Sequence, residues 1–363
     1  MNKAYKFRIY PNNDQKILME KTFGCTRFIY NKMLEDKINY YQQEKKMLKV
    51  TPAMYKQDYL WLKEVDSLAL ANVQLNLEKA YKSFFRTPSI GFPKFKSKRK
   101  SRASYTSNYV NNNIKLETKH IVLPKLGPIK IMKHRSIPED YRLKSVTVSK
   151  TPTEKYYVGI LYEYHKEIEQ VKIENSLGLD YTMHGLYKDS NNEDGNYPSY
   201  YQASLKKLQR ASRELSRCQK GSKNREKKRM KVAKLHEKVS NQRKDFLHKR
   251  SRQITNVNDA VIVENLNMKE MSAEMKFGKS VMDNGYGIFL SMLEYKLKGE
   301  GKTLIKIDKW YPSSKTCSQC GHVKESLLLS ERIYKCSACD SVIDRDYNAS
   351  INIKKEGLRQ VVA

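Results

Sequence analysis

The sequence predicts a multidomain α+β protein, and two changes of pattern along the chain lead to this prediction. A helical region near the amino terminus gives way to short strands divided by prolines and glycines, and from about residue 175 strands alternate with helices. The chain has 363 residues, enough for two or three domains with separate cores. Its 25 tyrosines and 10 phenylalanines argue against general disorder.

The amino-terminal part of the chain predicts a strand followed by helices. Apolar and basic side chains alternate in residues 4–10, which is the period of a strand with one solvated face. Helical spacing then extends to about residue 86, with interruptions expected near Gly24 and around Pro52. These residues are therefore expected to form a small helical domain.

A group of short strands follows an extended basic loop at 86–108. Between about residues 119 and 164 four strand-like runs are separated by prolines and a glycine, and they read HIVL, IKIM, LKSVTVS and KYYVGILYEY. They predict a compact barrel-like β unit, which the strand at 4–10 can complete.

The last part of the chain alternates strands and helices. The run SLGLDYTMHGLYKDS predicts a buried strand that reaches Asp180, then a turn and a second strand. Two basic helices are expected next, at 201–219 and 223–256, followed by a buried strand at 259–265. A helix at 287–299, a strand at 302–308 and a final helix at 345–361 are expected after that strand. This alternation is typical of an α/β domain with a parallel sheet.

Charge points to a polyanionic partner. Lysine and arginine outnumber aspartate and glutamate by 70 to 39, which gives a formal charge of +31. Nucleic acid best explains this excess. An anionic membrane is the alternative, but the sequence lacks an apolar run of about 18 residues, a leader and a lipidation motif. An intracellular location, cytoplasmic and associated with the nucleoid, is therefore expected.

Two segments concentrate the positive charge. Residues 205–250 contain eighteen basic and four acidic residues, and such an imbalance destabilises helices that have no anionic partner. A solvated charged face is the alternative. In the basic loop, aromatic residues between the lysines allow stacking on unpaired bases. The predicted nucleic-acid contacts are Lys94, Lys96, Lys98, Arg99, Lys100 and Arg102 in the loop, and Lys206, Lys207, Arg210, Arg213 and Arg217 in the first basic helix.

Four of the six cysteines form two C-x-x-C pairs that fifteen residues separate. Two such pairs supply the four sulfur ligands that tetrahedral zinc prefers, and the predicted ligands are Cys317, Cys320, Cys336 and Cys339. Because all four positions are filled, the site is structural and has no place for a catalytic water. Redox chemistry is the alternative, but no thioredoxin-like βαβ pattern surrounds the pairs. The neighbouring His322 is expected to be a bystander.

Three carboxylates stand where an unpaired charge is costly. Asp180 and Glu264 each follow an apolar strand, and Asp346 opens the final helix. If they converge, they repel one another unless divalent cations lie between them. Two Mg²⁺ ions about 4 Å apart hydrolyse a phosphodiester in such sites, because one activates water and the other stabilises the leaving oxygen. Any one of these residues alone could be a cap or turn residue, which is the expectation for Asp344.

The order of several motifs gives the chain a resemblance to a known family. They are KFRIYPN, GFPKFKSKR, VLPKLGPIK, GLDYTMHGLY, NQRKDFLHK, VENLNM, DNGYGIF, YPSSKTCSQCG and DRDYNASINI. Over nearly the whole chain the sequence resembles TnpB, the RNA-guided nucleases encoded by small insertion sequences. The resemblance implies a RuvC-like, ribonuclease-H-type nuclease domain with a zinc ribbon inserted before its last helix. Its catalytic, Mg²⁺-binding residues would be Asp180, Glu264 and Asp346.

The resemblance also implies a division into domains. It gives a wedge strand at 1–10, a helical recognition domain at 11–87, a wedge β-barrel at 88–173, a RuvC-like domain at 174–312, a zinc ribbon that binds target nucleic acid at 313–342, and a final RuvC-like helix at 343–363. The region that reads a short duplex motif beside the target would include Ser67, Leu68, Ala71, Val110 and Asn111. Of these, only Asn111 has a side chain suited to reading bases.

The sequence thus predicts an RNA-guided DNA endonuclease of a transposable element, with two catalytic Mg²⁺ ions and one structural Zn²⁺. Its partners would be a guide RNA from the transposon end and double-stranded DNA, and it is expected to act as a monomer in a ribonucleoprotein. Asn348 is expected to support the metal centre. One alternative is a nuclease-silent RNA-guided repressor, which should lack a carboxylate; another is a carboxylate-triad DNA transposase, which should join DNA ends without RNA.

Overall fold

The computed structural model describes residues 1–183, 185–268, 270–271, 283–328 and 330–362. The chain divides into two compact units, Met1–Lys166 and Glu167–Ala363. Both units combine helices and sheets, so the predicted α+β class is confirmed. The turn predicted after Asp180 includes His184, which lies outside the described residues.

The first unit is built on one antiparallel sheet of seven strands. The strands are β1 (Asn2–Tyr10), β2 (Ser104–Asn108), β3 (Lys115–Leu116), β4 (His120–Leu123), β5 (Gly127–Met132), β6 (Arg142–Lys150) and β7 (Tyr156–Glu163). Their order is β2-β6-β7-β1-β5-β4-β3. The amino-terminal strand therefore lies in the middle of the sheet, between β7 and β5, as the barrel-like unit expected from the sequence requires.

One apolar core gathers side chains from six of the seven strands. Alternate residues enter it, for example Phe7 of β1, Ile121 of β4 and Val158 of β7, which is the period of two that predicted the strands. Because strands from both ends of the sheet contribute to one core, the sheet curves around it. The strand β2 was missed and assigned to the basic loop, since its sequence SYTSN is mostly small and polar.

Three helices complete the first unit: α1 (Asn13–Glu44), α2 (Tyr55–Asp58) and α3 (Ser67–Arg86). Two 3₁₀ turns accompany them, Leu60–Lys63 and Pro88–Ile90. The expected break near Gly24 is wrong, because α1 runs through that residue without interruption. Burial of Phe23, Cys25 and Ile29 on either side of it outweighs the roughly 1 kcal/mol that a helical glycine costs.

In its described residues, the second unit holds a four-stranded sheet and four helices. Its elements are β8 (Ser176–Thr182), β9 (Leu186–Asp189), α4 (Tyr200–Ser216), α5 (Lys223–Val257), β10 (Ala260–Glu264), α6 (Tyr286–Gly299), β11 (Thr303–Ile307) and α7 (Arg345–Val362). The sheet order is β11-β10-β8-β9, and β8, β10 and β11 are mutually parallel. The carboxyl ends of these three strands therefore lie at the same edge of the sheet.

Two glycines allow the final helix to rest directly on the sheet. A Cβ atom at Gly178 of β8 would lie 2.2 Å from the backbone oxygen of Ser350, and one at Gly357 would lie 2.4 Å from Ile262 of β10. Neither position has room for a side chain. The close approach sets the distance between α7 and the strands, and so the position of the residues in the first turn of α7.

A small hairpin lies between β11 and α7. It consists of β12 (Ile333–Lys335) and β13 (Val342–Asp344), which pair in antiparallel register. Its core contains Cys317, Tyr334 and Cys336. The two cysteine pairs and this β hairpin thus belong to a separate small substructure just before the final helix, residues 316–344, which is called the cysteine hairpin below.

Replacing Gly178 with alanine should destabilise the second unit. The added methyl group must push α7 away from β8, which costs about 1–3 kcal/mol in the free energy of unfolding. Thermal unfolding of the full chain measures this effect. The matched control is Gly287→Ala in α6, where a Cβ meets nothing within 4 Å, and it should stabilise the same unit by up to about 1 kcal/mol. Equal melting temperatures for the two variants would contradict the packing argument.

Candidate functional site

The three predicted carboxylates come from separate elements of the second unit and face one another. Leu179 pairs with Val263 in the parallel register of β8 and β10, so the next residues, Asp180 and Glu264, leave the same edge of the sheet side by side. Asp346 lies in the first turn of α7, which packs on this sheet. The charges of Glu264 and Asp346 both act on Asp180. The structure therefore brings the three together.

The electrostatics of this cluster are unfavourable without a cation. Burial, followed by repulsion from Glu264 and Asp346, raises the pKa of Asp180 well above its usual range, although nearby Arg345 opposes the shift. Burial also raises the pKa of Glu264, and a hydrogen bond from Ser313 opposes that shift. All three carboxylate side chains are half-buried, so solvent still reaches the cluster.

An arginine offsets part of the negative charge. The Nε and Nη2 atoms of Arg345 each lie 3.2 Å from Oδ1 of Asp346, and Nη1 of Arg332 lies 3.9 Å from its Oδ2. The oxygens of the three carboxylates do not all lie within 4.8 Å of one another, which distinguishes them from the cysteine sulfurs. Carboxylate oxygens gathered in this way are the ligand type that hard divalent cations prefer.

Ser313 orients the glutamate of the cluster, and its role was not visible in the sequence. Its Oγ donates a 2.5 Å hydrogen bond to Oε1 of Glu264, and its carbonyl accepts one from Nδ2 of Asn352 at 2.9 Å. The serine lies in the motif YPSSKTC, but 49 residues separate it from Glu264. Only the parallel pairing of β10 with β11 brings that motif to the carboxylate edge.

A buried asparagine connects the chain after Asp180 to the start of α6. Nδ2 of Asn284 donates to Oη of Tyr181 at 3.1 Å and to the carbonyl of Met183 at 3.2 Å, while its Oδ1 accepts from the amide of Tyr286 at 3.2 Å. These contacts hold Tyr286 beside the segment that carries Asp180. Asn284 belongs to the motif DNGYGIF, whose structural role the sequence did not reveal.

The aspartate of the same motif anchors α4. The carboxylate of Asp283 accepts hydrogen bonds from the amides of Tyr201 and Gln202, at 3.1 and 3.4 Å, and an ion pair with Arg243 at 3.2 Å balances its charge. It thus satisfies two amide groups at the helix N-terminus, where the N-cap residue Ser199 makes no side-chain bond. Asp283 is a structural residue, distinct from the three carboxylates of the cluster.

The four cysteines form a compact cluster that could hold a metal ion. All their sulfurs lie within 4.8 Å of one another, with separations of 3.8 Å between Cys317 and Cys339 and 3.6 Å between Cys320 and Cys336. A tetrahedral zinc with Zn–S bonds of about 2.3 Å spaces its sulfurs by about 3.8 Å, so the donor set fits this metal. His322 is not part of the cluster, and its Nε2 lies 3.1 Å from the hydroxyl of Ser337.

Two residues near Asp346 form hydrogen bonds to backbone atoms outside the carboxylate cluster. Asp344 caps α7, as predicted, because its Oδ1 accepts from the amide of Tyr347 at 2.9 Å. The fully buried Asn348 was expected at the metal centre, but it binds the cysteine hairpin. Its Oδ1 accepts from the amide of Ser318 at 2.8 Å and its Nδ2 donates to the carbonyl of Thr316 at 2.7 Å. Asn348 thus fastens the hairpin to α7.

The predicted nucleic-acid contacts are exposed with one exception. In the loop, Lys94, Lys98, Arg99, Lys100 and Arg102 are exposed, and so are Lys206, Lys207, Arg210, Arg213 and Arg217 in and just after α4. Lys96 differs, because its ammonium lies 3.7 Å from the ring centroid of Tyr30 and burial lowers its pKa. Its backbone also bonds the side chain of Asn31, so Lys96 helps to fix the loop.

The residues predicted to read a duplex motif lie in two places of the first unit. Ser67, Leu68 and Ala71 are in the first two turns of α3, while Val110 and Asn111 follow β2. Asn111 adopts a left-handed backbone conformation with φ of 50°. A cavity of about 350 Å³ in the same unit is lined by Arg102, a predicted nucleic-acid contact, and by three amide and guanidinium side chains that the sequence had not singled out: Asn72, Asn76 and Arg27.

Three family models match separate parts of the chain. A family model described as "Probable transposase" matches residues 159–275, one described as "Cas12f1-like, TNB domain" matches 286–353, and one described as "Helix-turn-helix domain" matches 1–46. In the structure, residues 1–46 contain strand β1 followed by the single helix α1. The second match covers α6, the cysteine hairpin and the first half of α7.

Individual relatives cover nearly the whole chain. A protein of Streptomyces pristinaespiralis named "Putative RNA-guided DNA endonuclease" is 33% identical over 366 residues, spanning 99% of this chain and 90% of the relative. InsQ of Escherichia coli K12, which carries the same description, is 28% identical over 379 residues, spanning 98% and 92%. The solved Cas12f1–sgRNA–target DNA complex shares the fold, with a TM-score of 0.59 at 14% identity over 98% of both chains.

None of the helices in the described ranges is both long and apolar enough to cross a membrane.

Replacing Asp180 with asparagine should stabilise the protein when Mg²⁺ is absent. Because its folded-state pKa is raised, Asp180 retains a proton at pH values where the unfolded chain has released it, so stability falls as pH rises from about 4 through the raised pKa. The neutral amide removes this loss and should add on the order of 1 kcal/mol to the free energy of unfolding near pH 7. Thermal unfolding from pH 5 to 8, without added Mg²⁺, measures the difference.

The control for this experiment is the exposed helix cap, Asp344→Asn, which keeps the capping oxygen and should leave the pH dependence of stability as it is in the parent chain. If Asp180→Asn proves less stable than the parent chain at neutral pH, the three carboxylates do not repel one another in the way described.

Proposed function

The chain belongs to the TnpB family, and on this basis we propose that it is an RNA-guided DNA endonuclease whose active centre is the cluster of Asp180, Glu264 and Asp346. The observation that supports the assignment most is the convergence of three carboxylates from two strand ends and one helix start, where Glu264 and Asp346 both repel Asp180. Such an arrangement is destabilising by itself and becomes favourable when divalent cations bind.

The proposed cofactors of this centre are two Mg²⁺ ions held by the three carboxylates. Bound there, the ions would supply an activated water and charge stabilisation for the leaving oxygen, and so leave a 5′-phosphate and a 3′-hydroxyl. Ser313 keeps Glu264 in a fixed orientation, and Arg345 balances Asp346 until the cations bind. Because the described part of the second unit contains one such cluster, the two strands of a DNA target would enter it in succession.

Guide RNA pairing would supply the sequence specificity, and the protein would hold the nucleic acids mainly through their phosphates. The exposed lysines and arginines of the basic loop and α4 are the proposed contacts, with the exception of Lys96. For the motif beside the target, Asn72, Asn76 and Arg102 around the cavity of the first unit suit base edges better than Leu68, Ala71 or Val110 do.

The domain division follows the two units. The sheet β1–β7 is the proposed wedge domain, helices α1–α3 are the proposed recognition domain, and β8–β11 with α4–α7 are the proposed RuvC-like nuclease domain. The cysteine hairpin is the proposed zinc ribbon, holding one structural Zn²⁺ through Cys317, Cys320, Cys336 and Cys339.

Loss of any one carboxylate should abolish cleavage and leave RNA binding intact. The complex of protein and co-purified RNA is incubated with a plasmid that carries the matching target, in Mg²⁺. Asp180→Ala, Glu264→Ala and Asp346→Ala should each reduce the single-turnover rate by at least about 10³-fold, because the metal centre is incomplete. Asp344→Asn, two residues from Asp346, is the matched control and should cleave at the parent rate.

Two outcomes would favour other functions. Target binding by the parent complex without any cleavage in Mg²⁺ would favour a repressor, although all three carboxylates are present. Joining of DNA ends by RNA-free protein would favour a transposase. Full cleavage by any of the three alanine variants would refute the assigned centre.

The cysteine hairpin should carry one zinc ion per chain. Elemental analysis of the purified protein measures the metal, and Cys317→Ser should lose it and lower the melting temperature, since zinc binding and folding of the hairpin are coupled. Cys218→Ser is the control, because Cys218 lies in another part of the second unit, after α4. Parent protein that contains no zinc, yet folds with the same stability, would show that the hairpin needs no metal.

A further inference from the structure

A buried hydroxyl group beside the carboxylate cluster has no hydrogen-bond partner among the residues that the structure describes. Tyr286 is the first residue of α6, its side chain is 1% exposed, and in the part of the chain that the structure describes its hydroxyl oxygen makes no hydrogen bond. Leaving a buried hydroxyl unpaired costs about 1–3 kcal/mol, so such groups are rare without a functional reason. Phenylalanine would fill the same space without this cost.

The hydroxyl lies close to the proposed metal ligands. Asp180 and Glu264 are the two carboxylates whose charges act on it. The ring is held on two sides, with centroid distances of 4.7 Å to Tyr181 and 6.1 Å to Phe289. Its backbone amide is bonded to Asn284, which also binds the chain after Asp180. The hydroxyl therefore has a fixed position relative to Asp180.

Other buried tyrosines of this unit use their hydroxyl groups. Tyr197 donates to the carbonyl of Asp283 at 2.7 Å, and Tyr334 donates to the carbonyl of Lys315 at 3.0 Å. Tyr187 is as buried as Tyr286, packs on the same Phe289 at 5.6 Å, and has its hydroxyl beside Arg250. The unsatisfied hydroxyl is thus a property of the carboxylate edge and not of the core in general.

We propose that Tyr286 is a positioning residue of the active centre, whose hydroxyl donates a hydrogen bond to an oxygen atom that enters with the ligand. The proposal rests on the proposed function, since it assumes that Asp180 and Glu264 hold cations. The acceptor is either a water molecule that hydrates the cation or a non-bridging oxygen of the DNA phosphate, and both present the same oxygen chemistry to the hydroxyl. The bond would orient this oxygen between the two carboxylates.

The test compares Tyr286→Phe with the matched control Tyr187→Phe, which removes a hydroxyl from an equally buried tyrosine of the same core. Three quantities are measured: the melting temperature without Mg²⁺, the affinity of the RNA-free protein for Mn²⁺, and the single-turnover cleavage rate of the RNA-loaded complex. Tyr286→Phe should melt at or above the parent temperature, because it deletes an unsatisfied polar group.

The two acceptors give different results. If the acceptor is a water on the cation, Tyr286→Phe should bind Mn²⁺ about 3- to 10-fold more weakly and cleave more slowly. If it is the DNA phosphate, Mn²⁺ affinity should stay unchanged while cleavage slows by about the same factor. Tyr187→Phe should change neither quantity.

Parent values of both Mn²⁺ affinity and cleavage rate for Tyr286→Phe would overturn the proposal. The proposed function is tested separately. Full cleavage by Asp180→Ala would refute the assigned active centre, independently of the results for Tyr286→Phe.

Discussion

Repulsion among Asp180, Glu264 and Asp346 is the constraint on which the arrangement of the second unit depends. Charges that repel move apart unless the backbone prevents it, and here three features prevent it. Parallel pairing of β8 with β10 places two strand ends on one edge. Gly178 lets α7 approach β8 without an intervening side chain, and Arg345 offsets the charge that α7 brings. The fold thus holds together a cluster of like charges, which we propose divalent cations stabilise.

Much of this could be predicted from the sequence, because the decisive elements carry strong periodic patterns. Apolar strands precede both Asp180 and Glu264, so the carboxylate at the end of each strand could be identified as a candidate site residue. The helix that begins at Arg345 was equally clear. By contrast, α1 continues through Gly24 because the residues on either side of Gly24 are buried by parts of the chain that are distant in sequence. No local sequence pattern predicts this burial.

The supporting residues escaped prediction for the same reason. Ser313 and Asn284 owe their roles to side-chain contacts across 49 and 103 residues of sequence, and Tyr286 packs on the similarly distant Tyr181. Their motifs have no distinctive spacing. The predicted partner of Asn348 was wrong, because its proximity to Asp346 in sequence suggested a contact with the carboxylate cluster. On α7 it instead faces the cysteine hairpin. The helix therefore joins the two proposed metal sites, with Asp346 serving one and Asn348 bracing the other.

Asp180, Glu264 and Asp346 are proposed to hold divalent cations together. The most direct measurement is a crystal structure of the RNA-loaded complex with a non-cleavable DNA target and Mn²⁺, with anomalous scattering recorded to locate the metal. We expect two anomalous peaks about 4 Å apart, in contact with Asp180, Glu264 and Asp346. Ordered DNA at this edge of the sheet with no manganese among the three carboxylates would contradict it.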